Sequence, residues 1–90
     1  MACGWVILVH DLRCVRVQVD VLARDPRGLL TIVEVKSQTA SGMAHLSRAQ
    51  ARRLERVSRA FAEFEPVQIL LAFVSDGKVL LLPVDGLTDI

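Results

Sequence analysis

Ninety residues suffice for one hydrophobic core of ordinary size and not for two, so residues 1–90 are read as a single domain. Hydrophobic residues make up 52% of the chain and its mean hydropathy is +0.42, high for so short a sequence, yet no apolar run reaches the roughly 18 residues of a membrane span, and no membrane partner is expected. A formal net charge of +1 excludes nothing by itself, but Arg48, Arg52, Arg53, Arg56 and Arg59 fall within one segment and make a local basic surface.

Met1 to Val9 lacks the basic start and cleavage site of a secretory signal, which points to a cytoplasmic protein. Cys3 and Cys14 have no ligand-type spacing and no nearby His pair, so a zinc site is not expected, and Cys14 is read as a small packing residue. Trp5 to Asp11 is β-branched and aliphatic and predicts a strand. Val15 to Arg24 predicts a second, with Val17, Val19, Val21 and Ala23 on one face and Gln18, Asp20, Leu22 and Arg24 on the other. Asp25, Pro26, Arg27 and Gly28 spell a tight turn: Asp opens it, Pro fixes φ, and Gly accepts positive φ. Leu29 to Lys36 then returns antiparallel, and Ser37 to Leu46, small and polar, is expected to be an exposed loop.

Ser47 followed by Gln50 has the form of a capping box, and Ala51, Leu54, Val57, Phe61 and Phe64 recur at helical spacing until Pro66. Val67 to Val74 is almost wholly apolar, Asp76 and Gly77 make a hairpin turn, and Lys78 to Leu82 runs back to Pro83. Both runs read as strands buried on two faces or at an interface. The expected architecture is an α/β mixed sheet crossed by a helix, in the order β-β-β-α-β-β.

If Asp25 opposes Leu29, the same register sets Leu22 against Ile32, Asp20 against Glu34 and Gln18 against Lys36, the last four on one face. Carboxylates directly opposed on a sheet repel one another, so positive charge is expected between them. Lys36 supplies part of it and a hard divalent cation, Mg²⁺ or Mn²⁺, would supply the rest, with the Val35 carbonyl as a further oxygen. Such a site suits phosphodiester hydrolysis, with Lys36 orienting a water or stabilising developing negative charge. The same residues also fit an exposed Asp, Glu and Lys joined as a surface ion pair. Arg48, Arg52 and Arg56 repeat every four residues and fit phosphate contacts that do not read sequence, or else a solvated face in which Glu55 and Glu63 pair with Arg59. His10 and His45 are isolated and receive no role.

Asp20 followed by Glu34-Val35-Lys36 on the next strand resembles the motif of the PD-(D/E)XK nuclease superfamily. Gly4-Trp5, Ile7-Leu8, Arg13, Val19 to Asp25 and Ile32 to Ser37 further resemble the YraN family of endonuclease-like proteins, related to Holliday junction resolvases, over roughly Gly4 to Phe61. That resemblance implies a restriction-endonuclease-like fold with metal ligands at Asp20 and Glu34 and the family's lysine at Lys36. The family usually opens with a helix before the first strand, at about whose end this sequence is expected to start, and commonly carries Glu where Gln18 stands. An amide oxygen can ligate a metal but brings no charge, so Gln18 is expected to be a third, weaker ligand. The function implied is a metal-dependent endonuclease domain hydrolysing phosphodiester bonds of DNA. The alternatives are a catalytically weakened nucleic-acid-binding module, or a homodimerisation module built on the apolar final strands.

Overall fold

The computed structural model describes residues 4–14, 16–39, 42–43, 47–75 and 77–84. These form β1 (Val6–Cys14), β2 (Val17–Arg24), β3 (Leu30–Thr39), β4 (Gly42–Met43), α1 (Arg48–Ala62), β5 (Val67–Ser75) and β6 (Lys78–Pro83). The five long strands lie side by side as β1-β2-β3-β5-β6, with β4 added to the end of β3. Neighbours run antiparallel except β3 and β5, which are parallel because α1 carries the chain between them. This is the expected mixed sheet, with two differences in the segment read as a loop. Thr39 rather than Lys36 ends β3, and Gly42–Met43 pairs back onto Gln38 and Thr39. Residues 40, 41 and 44–46 of that segment, together with Cys3, Val15 and Asp76, lie outside the described residues. Among the described helices none is long and apolar enough to cross a membrane.

The turn between β2 and β3 forms for the reasons its residues give. The Gly28 N–H donates to the Asp25 carbonyl at 2.8 Å, and Gly28 sits at φ 87°, a region closed to most side chains. Asp25 Oδ1 accepts from the Arg27 and Leu29 N–H groups, each at 2.9 Å, while Gln68 of β5 donates to Oδ2 at 3.0 Å. The Asp25 N–H donates to the Leu29 carbonyl at 3.0 Å. That closure fixes the register as expected, with Leu22 opposite Ile32 and Val21 opposite Val33.

Alternation along β2 does not hold throughout. Val17 and Val19 pack in the same cluster as Leu22, Leu30, Ile32 and Ile69, against Ala51, Leu54 and Val57 of α1. The inward face therefore reverses between Val19 and Leu22, and strict alternation no longer ties Gln18 to the face of Asp20. The irregular step coincides with a gap in the β1–β2 ladder, where the Asp11–Asp20 position is skipped and Asp11 takes φ 52°. Such a local irregularity re-aims a side chain without ending the strand.

The capping box forms in full: Ser47 Oγ accepts from the Gln50 N–H at 3.1 Å and Gln50 Oε1 accepts from the Ser47 N–H at 3.2 Å. Ala51, Leu54 and Val57 are buried, and burying a side chain such as Leu54 contributes roughly 1.5–3 kcal/mol. β5 is buried on both faces, with Ile69 toward the helix and Leu70 and Ala72 on the other side. β6, read as buried on two faces or at an interface, is exposed along its whole length within the chain, so the first of these does not hold and the second is left. It is an edge strand, with β5 on one side only.

Candidate metal and phosphate site

β2 and β3 stay paired from the turn as far as Val21 and Val33 and no farther. Beyond that point β3 remains bonded to β5 through Ser37 while β2 remains bonded to β1 as far as Val17. The two strands therefore part just where the register would bring Asp20 to Glu34. Asp20 bridges the parting with its side chain, its Oδ2 accepting the Val35 N–H at 2.8 Å. Asp20 and Glu34 are both half-buried, and the bond to Val35 brings the Asp20 carboxylate to the residue next to Glu34.

The electrostatics follow from that crowding. Burial, and then the hydrogen bond and charge of Asp20, raise the Glu34 carboxyl to about 7, while the Lys36 ammonium acts in the opposite direction. Lys36 is half-buried and lies two residues along β3 on the same face as Glu34, opposite Phe73 of β5. With both carboxylates ionised, Lys36 offsets only one of the two negative charges, and a further cation would favour that doubly ionised state.

The donor set can be tested against such an ion. Two carboxylates are hard oxygen donors, and Mg²⁺ commonly takes one or two carboxylates and fills its remaining positions with water and phosphate oxygens. One Asp20 oxygen is engaged by Val35, which leaves the other free to ligate. Among the described residues no group of three or more His, Cys, Asp or Glu side chains could hold a metal, so the residues fit a partly hydrated ion rather than an all-protein cage. Gln18 is exposed, with its amide nitrogen 3.5 Å from Asp11 Oδ1. It reaches the site at the rim of a cavity of about 180 Å³ that Glu34 also lines. Its expected pairing with Lys36 does not form, because the ladder has already ended.

The arginines divide into two sets. Arg48, Arg52 and Arg56 are exposed on the side of α1 away from Ala51, Leu54 and Val57. Arg52 and Arg56 border a shallow hollow of about 330 Å³ together with Glu55 and Arg59, the last two joined as an ion pair one helical turn apart. This stripe points away from the carboxylates. Arg53, one residue off the stripe, instead lines the cavity beside Glu34, as does Arg16 from the β1–β2 turn. Sequence reasoning assigned neither to the site. The available signal for Arg53 was its place on the flank of Leu54 and three residues after Gln50; for Arg16 there was none.

A family model described as Uncharacterised protein family UPF0102 matches residues 1–76. Among curated proteins none matches the chain.

Proposed function

From the premise that this chain belongs to family UPF0102, the YraN-like endonuclease-like family, we propose that it is a metal-dependent endonuclease domain of the PD-(D/E)XK type, hydrolysing phosphodiester bonds of DNA. The observation that carries this reading is the meeting of Asp20 and Glu34 where β2 and β3 part, with Lys36 beside them. Asp20, Glu34 and, more weakly, Gln18 would hold Mg²⁺ or Mn²⁺. When bound, such an ion supplies Lewis-acid polarisation of a phosphoryl oxygen and lowers the pKa of a water.

The chain's own residues do the rest. Val35 fixes the Asp20 carboxylate through its N–H, so the ligand is oriented before any ion arrives. Lys36 stabilises the negative charge that develops on the phosphoryl oxygens or orients the attacking water. Arg48, Arg52 and Arg56 hold the DNA backbone without reading its sequence. A second copy of the chain is the partner we assign to β6.

A second reading has its own support. Two carboxylates and an uncharged Gln18 make a weak metal site, which favours a catalytically weakened module that binds nucleic acid through the same arginines. Calorimetric titration with Mg²⁺ and Mn²⁺, paired with cleavage of plasmid and branched DNA, separates the two. The nuclease reading expects binding that Asp20→Asn abolishes and cleavage that disappears with it; Gln18→Glu should tighten binding and raise cleavage. Absence of binding at millimolar metal in both wild type and Gln18→Glu would leave the binding module.

A further inference from the structure

The cavity beside Glu34 has a chemistry that the carboxylate pair alone does not use. Arg16 and Arg53 line it from opposite elements, the β1–β2 turn and the second turn of α1. Arg16 is held there at φ 63°. Arg24, Arg27 and Arg59 each have an acidic partner; among the described residues Arg16 and Arg53 form no salt bridge. Both arginines border the same space as Glu34. Gln50 lines the space as well; its amide oxygen accepts from Ser47, and its amide NH2 adds two donor hydrogens.

A donor-rich wall beside a carboxylate pair is the arrangement expected for an anion that also meets a metal. We infer that Arg16 and Arg53 form a phosphate subsite, which holds a phosphodiester group of the nucleic-acid substrate against the Asp20–Glu34 pair. The inference rests on the proposed nuclease reading and names the positioning residues that reading lacks. A guanidinium can grip two phosphate oxygens at once, which fixes orientation as well as adding charge. The outward stripe of Arg48, Arg52 and Arg56 can retain a duplex, but it lies on the wrong side of α1 to seat a phosphate at the carboxylates. Arg16 and Arg53 close that gap.

The test is a binding measurement without metal, so that it is independent of whether the site takes an ion. A labelled DNA duplex is titrated with the full chain in chelator-containing buffer and followed by fluorescence anisotropy across a range of salt. Arg16→Gln and Arg53→Gln should each weaken binding about tenfold and each lower the salt slope by about one. Glu34→Gln removes a negative charge from the subsite and should tighten binding several-fold. That gain should vanish in an Arg53→Gln background and persist in Arg52→Gln, where only the outward stripe is weakened. Arg53→Lys, which keeps the charge and loses the fork, should restore the slope and only part of the affinity. An equal Glu34→Gln gain in all backgrounds, unchanged affinity in both arginine variants, or no duplex binding by wild type would overturn the subsite. Failure of the calorimetric metal titration with this coupling intact would overturn the nuclease reading alone.

Discussion

Glu34 and Asp25 are both acidic side chains whose surroundings move them in opposite directions. Asp25 lies below its ordinary value, chiefly because the Leu29 N–H donates to it, with Arg27 and Gln68 adding to the effect. Its contribution to stability is present above the ordinary carboxylate range and is lost as pH falls through its lowered value. Glu34 lies above its ordinary 4.5, at about 7, because of burial and Asp20. The folded protein binds that proton more tightly than the unfolded chain, so the contribution is complete below 4.5 and is lost as pH rises through about 7. Thermal melts of the metal-free protein from about pH 5 to about pH 8 lie above the Asp25 window and isolate this effect. The midpoint should fall across that range in wild type and fall distinctly less in Glu34→Gln. An identical fall in the two proteins would show that Glu34 does not carry it. The approach of Asp20 to the Glu34–Val35 stretch was legible in the sequence because a strong turn fixes the β2–β3 register up to Val21 and Val33, one step short of the two carboxylates. The position of Arg16 and Arg53 beside Glu34 was not, because it arises where a strand turn and a helix flank meet in space, which no spacing along one element encodes.

Among the elements, α1 was the most legible, since its start is a side-chain motif and its inward face a simple period. The capping box satisfies two backbone donors at an end where the first turn carries no acidic residue to complement the helix dipole. Ser47→Ala should therefore cost about 1 kcal/mol, a fall in melting midpoint of about 4–8 °C for a domain of this size. Ser47→Gly should cost only a few tenths of a kcal/mol, and a loss in Ser47→Ala no larger than in Ser47→Gly would mean the hydroxyl is not the cap. Gln50 lines the cavity beside Glu34 as well, so the residue that starts the helix also borders the candidate site. β2 was less legible. Its valines alternate faultlessly in the sequence, but the inward face reverses between Val19 and Leu22, alongside the stretch of β1 where Asp11 takes a left-handed φ of 52°, and nothing in β2 itself marks the step. The extension of β3 to Thr39 was hidden for a related reason: its last residues gain a partner from β4, whereas their composition reads as loop.

At the scale of the whole molecule, the order of elements follows from periodicity and turn residues, while the neighbours of each strand do not. β5 and β6 present the same apolar pattern along the chain, yet β5 is central and buried on both faces whereas β6 forms an edge. A run apolar on both faces describes a strand that needs covering, and it does not say by what. In β6, Val79 is 60% exposed, Leu80 52%, Leu81 39% and Leu82 37%, and because successive side chains point to opposite faces, neither face is fully covered among the described residues. Its outer backbone edge lies beyond the last strand of the sheet, and of the charges that keep natural edges apart it carries only Lys78, at one end. Antiparallel pairing of β6 with β6 of a second copy would satisfy that edge, set Leu80 against Leu81 and keep the two lysines at opposite ends. Sedimentation equilibrium should accordingly reveal a dimer that dissociates on dilution. Hydrogen exchange should show β6 amides protected at high concentration and released at low. Leu80→Lys, which brings like charges close to the two-fold axis, should give a monomer with an unchanged circular-dichroism spectrum. A wild-type monomer at every concentration, with β6 amides exchanging freely, would show that the edge stays open in solution and that a second copy is not its partner.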